Sequence, residues 1–438
     1  MFPIKINIKS YLKALSLLIF TLFLISCKAV GPDYEGAPEL ELPENWENQL
    51  NSEFNETGAS QTQWWTLFND PVLNDLISRA AVDNLDAKIA LARVEVARAN
   101  FGIADAARSP ELDGVGDVSE KSKSKSVSGD RDSGLYSSIG LDISWEIDIF
   151  GYVRRSIEAA DAQLERSVEA YRDVMVILYA EIAKNYVALR TAQERLQYAL
   201  ENVKSQKDTL RIVNARYKAE LVSEVDLLQS EQNLAAAESN IPLFFARINE
   251  LSNSLAILLG KNPGTLNSEL KQSYGIPHVP EKTVVQVPRE ILRQRPDIRE
   301  AERLLAQETA EVGVATAEEY PRFNLNGTFG YDSKEFDNQF SSDSRYWSFG
   351  PNFRWNIFDG GATQAAIEVQ DAQVEEARVN YEKKVLTAFE EVENAIKSYK
   401  EEKQRNASLN VSVTAAKKVN KITLARYTSG LIDFQEVQ

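Results

Sequence analysis

The sequence predicts an α+β membrane protein: a long α-helical coiled-coil barrel joined to a short transmembrane β-barrel that is completed by trimerisation, four strands per chain, on an internal tandem duplication. Three observations carry this reading. The chain repeats itself at long offset, each copy holds one pair of two-faced strands, and each pair precedes a very long stretch free of helix breakers.

The repeat is read first. At an offset of 210, Trp145 falls on Trp355, Ile147 on Ile357, Gly151 on Gly361, Asp161-Ala-Gln163 on Asp371-Ala-Gln373 and Ala215-Arg-Tyr217 on Ala425-Arg-Tyr427. Upstream an offset of 211 aligns Gly102 with Gly313 and Pro110 with Pro321. A unit this long is no solenoid repeat but a duplicated half-protein. The expected organisation is a signal peptide at 1–26, a lipidated extension at 27–62, repeat 1 at 63–275 and repeat 2 at 276–438. Repeat 2 stops at Gln438, the counterpart of Leu228, so a further helix beyond Gln438 is expected.

From Tyr152 to Leu259 there is no Gly and only Pro242, and from Ala362 to Ser429 there is neither. Such runs read as long helices, expected over 152–259 and 362–429, with a shorter one at about 288–319. Leu189, Leu196, Val203, Leu210 and Tyr217 recur every seven residues, the spacing of left-handed coiled coils. A helix over 152–218 would extend roughly 100 Å.

Strict alternation marks the strands. Leu135, Ile139, Leu141, Ile143, Trp145 and Ile147 fall on one face, and Ser138, Gly140, Asp142, Ser144 and Glu146 on the other. The second copy places Trp347, Phe349, Phe353, Trp355 and Ile357 opposite Ser348, Asn352, Arg354 and Asn356. With partner strands near 112–119 and 323–331, hairpins are expected at about 110–148 and 321–358. Alternation alone fits a soluble sandwich as well as a lipid-facing barrel. In lipid, four strands leave unpaired edges and cannot enclose a lumen, so several chains must pool their strands. Three copies give twelve.

Composition closes off other functions. The 438 residues carry 49 basic and 65 acidic side chains, a formal charge of −16, which argues against nucleic acid as a partner. A single Cys and a single His, His278, leave no disulfide framework or metal cluster within one chain. No nucleophile, base and oxyanion donors cluster, so no enzyme activity and no cofactor is expected. Lys5, Lys9 and Lys13 precede an apolar run over 14–25, as in a secretory signal. That run ends in Leu24-Ile-Ser-Cys27, which resembles a bacterial lipobox; Cys27 is the expected lipidation site. Two or more acyl chains there would anchor the chain stably in lipid. Lys28, rather than Asp, follows Cys27, which favours the outer membrane.

Taken together, Cys27-Lys-Ala-Val-Gly-Pro-Asp-Tyr34, Trp64-Trp-Thr-Leu-Phe-Asn-Asp-Pro-Val-Leu73, Arg295-Pro-Asp-Ile-Arg-Glu-Ala-Glu-Arg303, Gly313-Val-Ala-Thr-Ala317, Ser348-Phe-Gly-Pro351 and Trp355-Asn-Ile-Phe-Asp-Gly-Gly361 occur in order over nearly all of the mature chain. They resemble the outer-membrane efflux proteins, the TolC-like channels, and especially the lipoprotein branch similar to OprM. The resemblance implies a homotrimer anchored in outer-membrane lipid and reaching through the periplasm. It implies docking to a periplasmic adaptor protein and an inner-membrane pump, often of the resistance-nodulation-division type, and passage of small molecules without chemical change.

By the same resemblance the periplasmic tips lie near Glu220-Leu-Val-Ser223 and Gly430-Leu-Ile-Asp433, and acidic side chains close the lumen there. This points to Glu436 and its repeat partner Asp226 as a gate, a ring of carboxylates that would favour cations. Both also suit the start of a helix, where an acid complements the dipole. Arg216, Tyr217, Arg426 and Tyr427, just before the tips, are candidates for a tether or an adaptor contact. Arg295-Pro296-Asp297 reads as a helix start. A periplasmic coiled-coil adaptor lipoprotein is the alternative, though it gives no reason for two amphipathic hairpins at equivalent positions.

Overall fold

The computed structural model describes residues 28–38, 40, 41, 43, 46–47, 63–122, 126, 133–278, 293–334, 336–433 and 436. The signal sequence, Cys27 and most of the segment 39–62 lie outside the described residues.

In chain order the elements are α1 (Pro71–Asp83), α2 (Leu85–Ala106), β1 (Glu111–Ser122), β2 (Ser133–Ile147), α3 (Tyr152–Lys218), α4 (Glu224–Ser239), α5 (Ile241–Leu258), α6 (Pro296–Ala317), β3 (Arg322–Ser333), β4 (Arg345–Arg354) and α7 (Ala362–Thr428). A 3-10 turn, Trp64–Phe68, precedes α1. Of the long helices expected over 152–259, the first ends after Lys218 at left-handed Glu220, where the tip near 220–223 is expected. A further break was not expected: at Asn240 the chain turns before Pro242, whose missing N–H suits a helix start. Likewise α6 begins at Pro296, short of the expected 288–319; residues 279–292 lie outside the described part.

The strands form one antiparallel sheet in the order β1-β2-β3-β4. The residues of β1 and β2 pair as Glu111↔Ser144 and Leu112↔Ile143. Moving each β1 residue on by 211 and each β2 residue on by 210 gives Arg322↔Arg354 and Phe323↔Phe353, which is the β3–β4 register. The tryptophans obey the same rule. Trp145 Nε1 donates to the Arg108 carbonyl at 3.0 Å, and Trp355 Nε1 donates to the Glu319 carbonyl at 3.0 Å. Two sequence offsets thus reappear as two superposable hairpins, each pinned by a tryptophan to the chain just before it.

The chain divides into two compact units that do not coincide with the two repeats: each unit draws on both. One comprises Met1–Leu40, Arg93–Glu169 and Arg299–Lys383 and holds the sheet; the other comprises Glu41–Ala92, Ala170–Ile298 and Lys384–Gln438.

The second unit has the larger apolar core. Asp70 accepts hydrogen bonds from the Val72 and Leu73 amides and Pro71 occupies the first turn, so α1 starts sharply. Its residues Leu73, Leu76, Ile77 and Ala80 follow helical spacing and are fully buried against Ile182, Tyr186 and Leu189 of α3 and Leu251 and Leu255 of α5. Each such leucine contributes about 2 kcal/mol by leaving water. The same Asp70 carboxylate accepts from the Tyr186 hydroxyl at 2.8 Å, and the buried Arg190 guanidinium lies 4.8 Å from the Tyr186 ring centroid. Burial pushes the Tyr186 phenol up to about 12, with the Asp70 bond also raising it, so it stays a neutral donor at physiological pH. Trp65 packs into this core and Trp64 against its edge.

In the same unit Arg295 forks onto Asp297 at 3.0 and 2.9 Å and reaches Glu391 at 2.8 Å. The Asp297 carboxylate also accepts from the Ile298 amide. The Arg295-Pro-Asp triplet therefore opens α6 and ties it to α7.

Candidate channel tip, membrane face and N-terminal clasp

At the end of α3 the Leu221 amide donates to the Arg216 carbonyl and the Glu220 amide to the Tyr217 carbonyl, both at 2.9 Å. At the end of α7, Leu431 donates to Arg426 and Gly430 to Tyr427, again both at 2.9 Å. These are matching Schellman turns, and they require a left-handed residue. Gly430 supplies it freely at φ +74°, whereas Glu220 adopts φ +57° with a side chain attached. The helices therefore end at equivalent positions of the two repeats.

Here the structure brings together two of the four candidate tip residues. Arg216 of α3 lies over the Tyr427 ring at 4.7 Å and its Nη1 donates to the Tyr427 carbonyl at 3.0 Å. Tyr427 is buried with Val213, and Ile212, Val222, Leu227 and Ile432 pack around them. Burial pushes the Tyr427 phenol up and Asp226 adds to the shift, against the opposing pull of Arg216. The repeat-related residues behave differently: Tyr217 is 37% exposed and Arg426 is exposed.

The candidate gate acid Asp226 sits in the first turn of α4, in a reciprocal capping box. Its backbone N–H donates to the Ser223 hydroxyl at 3.3 Å, and its carboxylate accepts from the Ser223 amide at 2.9 Å and hydroxyl at 2.8 Å. The second copy carries Asp433 and Glu436 at the same spacing; the Glu436 amide donates to the Asp433 carbonyl at 3.2 Å and its side chain is exposed.

The sheet has two chemically distinct faces. By register, Leu112, Ile139, Leu141, Ile143, Trp145, Phe329, Trp347, Phe349 and Phe353 share one side, and all are exposed. Asp113, Asp117, Asp142, Asn326, Thr328, Ser348 and Asn352 share the other. An exposed apolar sheet face of this extent marks contact with lipid or protein. Among the described residues no helix is long and apolar enough to cross a membrane.

Sequence reasoning missed a clasp on the N-terminal segment. The Val30 amide donates to the Phe150 carbonyl at 2.9 Å. Arg155, only 4% exposed, donates to the Val30 and Gly31 carbonyls and pairs with Asp33 at 2.6 Å and Glu158 at 2.7 Å. Gly31 lies so close to Gly313 of α6 that a Cβ on Gly31 would come within 2.5 Å of the Gly313 Cα. Hydrogen bonds from Lys28 and Arg155 hold the Asp33 carboxyl below its ordinary range. Farther on, the Trp46 ring stacks on Phe389 at 5.1 Å, and the Glu47 amide donates to Glu393 at 2.7 Å. The one sequence signal for the clasp was Gly313, a glycine inside a helix pattern, which marks close approach of another backbone. Cys27, the candidate lipidation site, lies outside the described residues immediately before this segment.

The comparisons with known proteins decide the family. The model of the family "Outer membrane efflux protein" matches residues 76–261 and 287–438. The chain belongs to the outer membrane efflux protein family. It is similar to Nodulation protein T of Rhizobium leguminosarum bv. trifolii, with 29% identity over 96% of this chain and 89% of the relative. It is also similar to the solvent efflux pump outer membrane protein SrpC of Pseudomonas putida, at 33% identity over 75% of this chain and 70% of the relative. Among solved structures, the outer-membrane channel OprN superposes with a TM-score of 0.83 at 32% identity, covering 93% of this chain and 91% of that one. The fold is that of the mostly helical TolC-like channels, and the chain is an outer-membrane channel of an efflux system. This efflux channel works in the outer membrane.

Proposed function

We propose that three copies of the chain assemble into a conduit through which small molecules leave the periplasm without chemical change. The observation that carries this reading is the four-stranded sheet with one exposed apolar face and one polar face, which lipid and a water-filled lumen would satisfy on opposite sides. Twelve pooled strands abolish the edges that four would leave in lipid.

In this reading Cys27 carries the lipid, and the clasp at Arg155 fixes the chain that follows it. A periplasmic adaptor and an inner-membrane pump, of the resistance-nodulation-division type, complete the system. Asp226 and Glu436 line the closing ring of the tip. Arg216 and Tyr427 tether α3 to α7, while Tyr217 and Arg426, exposed beside them, are the adaptor contact.

The test is the oligomeric state of the purified protein with and without its lipid. A trimer that still needs detergent after Cys27→Ser supports the reading. A Cys27→Ser protein that stays monomeric and soluble without detergent overturns it and favours an adaptor lipoprotein.

A further inference from the structure

Two glycines face each other across the β2–β3 ladder. Gly140 pairs with Gly330, and Gly330 pairs in turn with Tyr346 of β4. All three lie on the polar side of the sheet with Asp142, Thr328 and Ser348, the side that faces the lumen in the conduit proposed above. Neither glycine has a left-handed backbone, so what these positions require is the missing side chain and not the conformation. A Cβ on Gly330 would lie 2.7 Å from the Ile139 carbonyl oxygen, 2.9 Å from the Tyr346 hydroxyl oxygen and 3.0 Å from the Gly140 Cα. A Cβ on Gly140 would lie 2.9 Å from the Phe329 carbonyl oxygen and 3.3 Å from the same hydroxyl. The Tyr346 side chain therefore reaches over Gly330 as far as Gly140, and its ring lies along the wall instead of standing out from it. Exposure agrees: Tyr346 is 37% exposed, against 72% and 66% for Trp347 and Phe349 on the opposite face of the same strand.

The other repeat holds the equivalent ring by a different device. Moving Gly330 back by 211 and Tyr346 back by 210 gives Ser119 and Tyr136, which pair in the β1–β2 ladder. There is no glycine under Tyr136. Instead the Lys121 and Lys334 ammonium groups lie 5.6 and 5.3 Å from the centre of its ring, at cation–π distance. Both tyrosines sit toward the hairpin ends of the strands, away from the long helices.

We infer that Tyr346 sets the bore of the outer half of the channel: the recess over Gly140 and Gly330 takes up its ring, and the width left beside that ring is the size limit for cargo leaving the barrel. The inference rests on the conduit reading above and deepens it by naming a residue that selects cargo by size. An aromatic ring that only shields glycine backbone would change the stability of the sheet and leave passage alone.

Reagent access through the outer mouth separates the two. Ser144, exposed on the polar face and four residues nearer the helices than Gly140, is changed to Cys in the full-length chain. Intact cells are treated from outside with water-soluble maleimides carrying polymers of increasing length, and labelling is read per folded trimer. The chain without Ser144→Cys controls for Cys27. Ser144→Cys is expected to be labelled up to a cut-off length. Adding Tyr346→Ala is expected to raise that cut-off. Adding Gly140→Ala, which displaces the ring from its recess, is expected to cut labelling at the cut-off several-fold while the smallest maleimide still labels fully. With Gly140→Ala and Tyr346→Ala together the cut-off is expected to match that of Tyr346→Ala alone, since no ring is left to displace. Thr328→Val, a change of equal size on the same face, is expected to leave it unchanged. Should Gly140→Ala yield no trimer, Tyr346→Ala decides by itself. A cut-off that Tyr346→Ala does not move, or a Gly140→Ala effect that persists without the ring, overturns the inference and leaves the conduit standing. A Ser144→Cys that no water-soluble maleimide labels in folded trimers purified in detergent overturns the conduit reading itself.

Discussion

The Arg216 guanidinium rests 4.7 Å from the centre of the Tyr427 ring, while the repeat counterparts Arg426 and Tyr217 are both exposed in the single chain. One pair of equivalent residues therefore joins the two repeats, and the other pair is left for something else to bind. The contact combines a ring-face cation with a hydrogen bond, together about 1–2 kcal/mol at a partly buried site. Arg216→Ala is expected to raise amide hydrogen exchange over 424–428, and Arg426→Ala to leave it unchanged while weakening adaptor binding. Equal exchange in both variants contradicts this division of labour.

The capping box separates the two roles open to Asp226. Ser223→Ala removes the hydroxyl that accepts from the Asp226 amide and should cost about 1 kcal/mol, visible as faster exchange in the first turn of α4. It leaves the Asp226 charge in place, so cation selectivity of the channel is expected to persist. Asp226→Asn keeps a side-chain oxygen for the cap but removes the charge, and is expected to lower selectivity with little loss of α4. Unchanged selectivity in Asp226→Asn would exclude a gate role for this carboxylate.

Gly430 is expected to be less replaceable than its position in a short turn implies. At φ +74° any side chain is strained, and Gly430→Ala should destabilise the tip turn by about 1 kcal/mol. Glu220 already bears that strain, so Glu220→Ala is expected to change the turn little. Hydrogen exchange of the Leu431 and Leu221 amides reads the two turns separately.

Acid should loosen the attachment of α6. Burial pulls the Asp297 carboxyl upward, but the Arg295 bonds, with Lys384 and the Ile298 amide, hold it below its ordinary range. A carboxyl depressed in the folded state contributes stability above its unfolded pKa of about 4, and that contribution is lost as pH falls through the lower folded value. Unfolding midpoints should therefore drop below pH 4 more steeply in the unsubstituted protein than in Asp297→Asn. Parallel pH profiles would contradict the account.

The clasp predicts a proteolytic signature. A Cβ on Gly313 would lie 2.7 Å from the Arg155 side chain, so Gly313→Val is expected to expel the segment around Pro32. Arg155→Ala should do the same by removing the donor to two carbonyls and one of the two cations on Asp33. Cleavage between Lys28 and Glu35 should speed up in both variants while α6 stays helical by circular dichroism. Cleavage no faster than in the unsubstituted protein would show that the segment is held elsewhere.

How far the sequence could be read depends on the range of each interaction. Alternation placed β2 and the body of β4 because Trp145 and Trp347 lie on faces set by period two, a local property, whereas Trp355 and Ile357, expected in the same strand, fall beyond its end at Arg354. The partner strand β1 was placed less well, since Gly114 and Gly116 interrupt its pattern; it runs from Glu111 to Ser122. The heptad stripe holds at Leu189 and Val203, which are buried, and fails at Tyr217, where the chain is about to turn. The Arg155 clasp joins residues more than a hundred positions apart, and no local period encodes it. The two compact units cut across both repeats for the same reason: long helices carry each repeat into both.

The measurement that tests the central claim most directly is single-channel conductance of the full-length protein in planar bilayers, against the Asp226→Ala/Glu436→Ala double variant. The account expects small or infrequent openings that become larger or longer in the double variant, because the acidic ring at the tip is weakened while the barrel is unchanged. Openings that the double variant leaves unaltered would remove the gate assignment, and the absence of any conductance from verified folded trimers would contradict the conduit itself.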